Sequence, residues 1–579
     1  MAHLYKKVKK GHEYYYIRET QRVYGKPTTI NQVYLGTADK VETLLGRGGF
    51  SPKEFGSIFA LNELDKDLDL AGIVNEILPP KKRTKGPSLG ELVFYAALNR
   101  AIAPTSKRQL ATWYETTDIQ RIRPLRLESL NSQNFWNHWD RISENDLERI
   151  AVSFFRKINS LLPSGDRQLV IEATRLQSAP KAPGTLDEDL GGEEFARQTQ
   201  QQPGIGLALV TERERGVPLY YQTFSPNFSE EKFFERGLDD VLERVNNLGV
   251  PVKDITLLFH RGLDSESMVN RLNSQAGLHF VASCTSDFAP ELTKISLKEF
   301  SPLPCRANQR LSNLEGEDDK VLYYETRADF WGHSRRAIII FDPKTFHKAY
   351  QDLGKKVQKV RRELALLQQR YLAEKTGEDF TQAIRDHLVQ LCGRLRLSPD
   401  LFQLSFPRED GQANLSLQLN HRQMASNVRH FGKNILITDR EDWEAAEIFE
   451  TFTKRGGLES QRPAKASGPW SDNAPDSDNS IHVTLMPLYH WTGSKIRVHL
   501  FVCVVAMTYL ALLNQRLNAN GFSITPQEAM DELRAMRTAI FQESEDGRLK
   551  RMLDKVSDRQ AAILKAMGYQ VQDGKVLPM

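Results

Sequence analysis

A chain of 579 residues has room for roughly three or four domains. Its hydrophobic share of 40% supports real cores, and its net charge of +4 excludes a global polycation, so any nucleic-acid surface has to be local. Cys284, Cys305, Cys392 and Cys503 fall at no paired spacing, which argues against a zinc ribbon or a disulfide framework and fits a reducing cytosol.

The N-terminus, MAHLYKKVKKGHEYYY, has no apolar signal core. Residues 3–37 read as a small antiparallel unit. Tyr14–Ile17 is a strand, Val23–Pro27 a turn, and Ile30–Leu35 a second strand ending at Gly36. Lys6, Lys7, Lys9 and Lys10 stand beside the tyrosines, with Arg22 and Lys26 at the turn. Cations interleaved with aromatic rings suit phosphate and base contact, and equally a solvated charged tail.

Residues 56–160 read as helical. Leu92, Phe94, Tyr95, Leu98 and Ile102 make one apolar face. Ser106 is placed as the N-cap of a helix from Lys107 to Tyr114, and a further helix runs from about Ser143 to Leu161. Short helices joined by tight turns suit a helix-turn-helix, with Lys107 and Arg108 toward DNA, and also a structural bundle.

From Arg167 the pattern changes to strands. Gln168–Ile171 is a buried strand ending at Glu172-Ala173-Thr174, and 204–211 and 217–224 complete a meander. A helix follows over Glu230–Leu248, then the apolar strand Ile255–Phe259. That strand stops at His260-Arg261-Gly262, with Asp264 and Ser265 opening a helix. The carboxyl end of such a strand is where an α/β core presents reactive side chains.

Residues 263–430 read as a long interruption, with strands at 278–283, 320–326 and 336–341. A long helix then carries Leu353, Val357, Val360, Leu364, Leu367 and Tyr371 as one seam. Asn434–Thr438 returns as a strand, Asp442–Lys454 as a helix, and Pro463–Ser480 as a polar loop. Helices over Trp491–Leu513 and Pro526–Phe541 close the chain. The apolar run Leu500–Leu513 is short for a membrane span and fits a buried helix.

Several pieces, in this order, resemble bacterial insertion-sequence DDE transposases of the large subgroup with a β-rich insertion. They are Arg22–Pro27 with Leu35-Gly36, Ser106-Lys107 with Trp113, Phe135-Trp136, Pro226-Asn227, and Phe259-His260-Arg261-Gly262 with Ser265-Glu266. Gly277–Phe280, Phe431-Gly432-Lys433 with Thr438-Asp439, and Leu488–Trp491 with Lys495–His499 complete the series. The resemblance runs from about Tyr14 to Ile540.

It implies a multidomain α+β or α/β fold with an RNase H-like core at 166–262 and 431–515, interrupted by an insertion at 263–430. A small β unit (1–50), a helical DNA-binding and dimerisation region (51–165) and a C-terminal helical tail (516–579) flank the core. It implies a homodimer on double-stranded, terminal-repeat-like DNA, in a bacterial cytoplasm and nucleoid-associated when bound. No membrane and no small-molecule substrate are implied.

In that family two aspartates and a glutamate hold two divalent ions, Mg²⁺ or Mn²⁺, for phosphoryl transfer. The matching positions here are Glu172, His260 and Glu459. Glutamate for aspartate pushes the first carboxylate outward, and imidazole for carboxylate removes a charge and suits Zn²⁺ better than Mg²⁺. Gly456-Gly457 before Glu459 and Pro463 after it weaken the helix that should carry the third. The expectation is a transposase-derived DNA-binding protein with strand cleavage lost or strongly impaired. The alternative is an active enzyme with a Glu/His/Glu set. The bland alternative leaves Glu172 a solvated strand end and His260 a surface histidine.

Overall fold

The computed structural model describes residues 2–9, 12–23, 26–36, 50–80, 86–163, 165, 167–177, 204–225, 227–259, 263, 266–284, 289–311, 319–374, 379–409, 412–413, 415–454, 493–522, 524–542 and 549–579. Strands β1 (Ala2–Lys9), β2 (His12–Val23) and β3 (Lys26–Gly36) form an antiparallel sheet in that order. The sequence reading expected two strands here. β1 is a third, and it pairs along its whole length, from Ala2 opposite Glu19 to Lys9 opposite His12. Side chains alternate across a strand, so Ile17 and Leu35 turn inward and bury against Ile540.

After β4 (Phe50–Glu54) come α1 (Gly56–Leu68), α2 (Leu70–Ile77), α3 (Leu89–Ile102), α4 (Leu110–Thr116), α5 (Ser132–Trp139) and α6 (Glu144–Leu161). A capping box between Ser88 and Glu91 starts α3, and the Ser143 side chain caps α6. Ser106 does not cap α4. Residues 107–109 make a turn closed by Gln109 N–H donating to the Ser106 carbonyl (2.9 Å), and the helix begins one turn later, at Leu110. These helices share one apolar cluster with the central sheet, including Phe154, Phe155, Leu207 and Tyr221.

The central sheet holds nine described strands. β5 (Gln168–Gln177), β6 (Gly204–Glu212) and β7 (Pro218–Phe224) are the antiparallel meander. α7 (Glu230–Asn247) leads to β8 (Asp254–Phe259), parallel to β5, and α8 (Glu266–Ser274) leads to β9 (Leu278–Cys284), parallel to β8. The resulting order, β7-β6-β5-β8-β9, is that of an RNase H-like core. Gly277 makes the close turn into β9. Its φ is +76°, and a Cβ there would run into the Lys253 carbonyl oxygen.

Beyond β9 the sheet continues with strands from much later in the chain. β10 (Ser301–Pro302), β11 (Leu322–Phe330) and β12 (His333–Phe341) join it through β13 (Lys433–Thr438), which lies between β9 and β12. Strands β9 to β12 fall within 263–430, the segment expected as one insertion, yet they belong to the core sheet. The helices α9 (Pro343–Glu374) and α10 (Asp379–Leu395), with the short hairpins after them, pack around a separate core of Leu353, Val357, Val360, Leu364, Leu388 and Leu391. The self-contained part thus begins near Pro343.

α11 (Ala445–Lys454) covers one face of the sheet, and α12 (Gly493–Ala519) runs through the interior, buried from Val498 to Leu513. α12 is long and apolar enough to cross a membrane, but 94% of its apolar window is buried inside the protein. All four cysteines are free and buried.

The C-terminal region departs from the expected helical tail. α13 (Pro526–Ala535) stops at Met536, and β14 (Arg537–Gln542) pairs with β4 on one side and β15 (Leu549–Leu553) on the other. α14 (Asp558–Ala566) and the hairpin of β16 (Tyr569–Gln572) with β17 (Lys575–Pro578) follow. Phe50–Glu54, distant in sequence, offers the ladder partner that makes 537–542 a strand.

Candidate functional site

Of the three positions matching the catalytic triad, Glu172 lies within the described residues. His260 and Glu459 lie outside them, as do Asp264 and Ser265. Glu172 is not the solvated strand end of the bland reading: it is 5% exposed, and β5 runs on to Gln177 because β6 pairs with it throughout. Its parallel pairing with β8 ends at Glu172 opposite Leu258.

Val170 and Leu258 on the same face belong to the cluster under α11, with Phe449 and Phe452. On the other flank Glu172 lies opposite Leu209, and Leu209 opposite Tyr221, whose ring is 6.3 Å from Phe501 of α12. Glu172 therefore falls between α11 and α12, the helices that bracket the residues containing Glu459. Among the described residues no group of three His, Cys, Asp or Glu could hold a metal ion. A divalent ion at Glu172 would need further ligands from outside the described set, because Mg²⁺ demands an octahedral oxygen shell.

Asp254 sits at the amino end of β8, away from Glu172. It joins Gln168 (2.9 Å) and the buried Arg440, whose guanidinium also reaches Thr256 Oγ1 at 2.8 Å. Trp443 is sandwiched between Arg440 (4.3 Å) and Arg213 (3.9 Å). This network ties β5, β8 and β13 together at the end of the sheet opposite the carboxyl end of β8.

The expected DNA-contact residues divide by environment. Lys6 is held by Glu13 at 2.6 Å, and that bond raises its pKa above the ordinary value. Lys7 and Arg22 are exposed on the face turned away from the body. Lys9 and Lys26 lie in β1 and β3, but their side chains, and all of Lys10, lie outside the described residues. Arg108 is exposed and lines a shallow cavity of about 380 Å³ with Glu128 and Asn131.

Lys107 is turned elsewhere. Its ammonium lies 4.9 Å from the Trp139 ring and 5.5 Å from Phe135. Burial, then the nearby Arg100 charge, push its pKa down to about 7. The unfolded chain therefore binds an extra proton between about pH 7 and 10.5, so stability rises with pH through that window and is lost as pH falls toward 7. Lys107→Met should raise stability at pH 7.5 by about 1 kcal/mol, discounted for partial exposure, and flatten that rise. Urea midpoints at pH 7.5 and 9.5 read both effects, and equal pH slopes in the two proteins would discard the assignment.

Sequence reasoning missed that Tyr5, Tyr14, Tyr16 and Tyr34 share one outward face with Arg18. Tyr16 and Tyr34 are 5.2 Å apart, and Arg18 lies 3.7 Å over Tyr5. The signal was the period-two alternation of β2, where Tyr15 and Ile17 face in while Tyr14, Tyr16 and Arg18 face out.

No protein-family model matches the chain, and no curated protein matches it. Among solved structures it is similar to a piggyBac transposase in a synaptic complex with hairpin DNA. That match has a TM-score of 0.29 and 10% identity, covering 84% of this chain and 82% of the other.

Proposed function

We propose that the chain is a transposase-type DNA-binding protein that acts as a homodimer on terminal-repeat-like duplex DNA, with strand cleavage lost or strongly impaired. The observation that carries the reading is the β7-β6-β5-β8-β9 order with buried Glu172 where β5 and β8 part, at the sheet position the sequence resemblance assigns to the first metal-binding carboxylate. The exposed cations Lys7, Arg22 and Arg108 support a phosphate-binding surface.

Selection of bound fragments from a random duplex pool tests it. A defined sequence should be enriched, and its affinity should fall steeply with salt. Lys7→Gln, Arg22→Gln and Arg108→Gln should each reduce the salt slope by about one. Because α1 to α6 share the core of the central sheet, substitutions serve here where deletion of residues 1–160 would strip that core. Binding that is indifferent to salt, or a pool with no enriched sequence, would reject the reading.

A further inference from the structure

The outward face of the β1–β3 sheet has a composition that duplex binding does not require. Tyr16 stands at its centre, with ring centroids 6.4 Å from Tyr5 and 5.2 Å from Tyr34, and Tyr14 is 6.1 Å from Tyr34. Arg18 stacks on Tyr5 and is braced by Gln32 Oε1 at 3.0 Å. Tyr34 is 55% exposed. Lys7 lies opposite Tyr14 at one end, and Arg22 extends the same side of β2 at the other.

The acids of β2 turn the other way. Glu13 bonds Lys6 and Tyr15, and Glu19 bonds Arg551 on the buried side. Along β1 and β2 the outward side chains are rings and cations with Thr20, and none is a carboxylate; Tyr34, Gln32 and Pro27 of β3 lie opposite Tyr16, Arg18 and Arg22. Tyrosine and arginine also serve protein interfaces, but three cations, Lys7, Arg18 and Arg22, with no carboxylate of β1 or β2 beside them favour a polyanion with exposed π faces.

Resting on the DNA-binding reading, we propose that this face is a stacking platform for unpaired DNA. A duplex hides the faces of its bases, whereas a single strand offers each one to an aromatic side chain. Tyr16 and Tyr34 would stack successive bases, Tyr5 under Arg18 would take a third, and Lys7 and Arg22 would follow the phosphates.

The test uses the full chain with four probes: a dT 12-mer, an abasic 12-mer of equal charge, a U 12-mer and a blunt duplex. The dT strand should bind at least tenfold tighter than the abasic strand. Tyr16→Ala with Tyr34→Ala should remove that difference and leave duplex binding unchanged. Tyr16→Phe with Tyr34→Phe should keep it, since a phenyl face stacks as well. Equal binding of dT and abasic strands by the unaltered protein would overturn the proposal, as would a preference that survives the alanine pair. Tight U binding with weak dT binding would also overturn it, in favour of RNA. Duplex binding without dT binding sinks this platform alone, and binding of no probe sinks the DNA-binding reading with it.

Discussion

Mg²⁺-dependent nicking of a bound DNA end should be undetectable with the protein as it stands. On the proposed reading His260 stands where the resemblance calls for an aspartate, and an imidazole there would leave divalent ions without a compensating charge. Glu172 adds a methylene on a buried strand flanked by the cluster of Phe449 and Phe452, so its carboxylate has little room to withdraw. A misplacement of about one ångström can cost about a hundredfold in rate. His260→Asp alone should therefore restore little, and adding Glu172→Asp should help while leaving cleavage weak. The largest gain should come when Gly456 and Gly457 are also replaced by helix-forming residues, because Glu459 needs a rigid backbone. Robust cleavage by the unaltered chain would sink this account and promote the Glu/His/Glu alternative.

Removing the Arg551 side chain should detach the N-terminal sheet. Glu19 and Arg551 are 5% and 7% exposed, and the guanidinium reaches both carboxylate oxygens at 3.0–3.2 Å. Arg551 also donates to the Ser51 and Thr538 carbonyls, so one side chain joins β2, β4, β14 and β15. Burial alone would raise the pKa of Glu19, but the Arg551 hydrogen bonds and charge bring it below its ordinary 4.5. A depressed carboxylate contributes stability that is present above pH 4.5 and lost as pH falls through the folded value.

Breaking a buried pair from one side costs about 3–5 kcal/mol, because a charge is stranded, whereas replacing both partners with apolar groups can be nearly neutral. Arg551→Ala should thus speed amide exchange in β1–β3 while leaving the central sheet protected. Arg551→Met with Glu19→Leu should recover much of the protection, and the platform with it. Unchanged exchange in the single variant would show that the pair does not hold the sheet.

Local pattern carried the elements whose period or composition is self-sufficient. The meander, the capped helices starting at Glu144 and Glu230, the apolar strand at 255–259 and the buried helix around Leu500–Leu513 were all legible, since alternation, caps and continuous hydrophobicity act within a few residues. The strand leading to Glu172 was legible too, though not the burial of Glu172 itself. That came from β6 escorting β5 to Gln177, a pairing partner that a strand's own residues do not name.

Tertiary structure alone decided which strands share a sheet. β9, β11 and β12 read as strands but were assigned to an insertion, because membership depends on β13 arriving from 433–438 to pair with both β9 and β12. It also made a strand of 537–542, where helical pattern yielded to the ladder with Phe50–Glu54. Lys107 followed the same rule: its sequence neighbours suggested phosphate contact, and the rings of Phe135 and Trp139 took its ammonium instead. Each segment's own residues limited what it could form. Only folding chose the partners, because ladder hydrogen bonds and buried charges are satisfied by whichever groups the rest of the chain brings alongside.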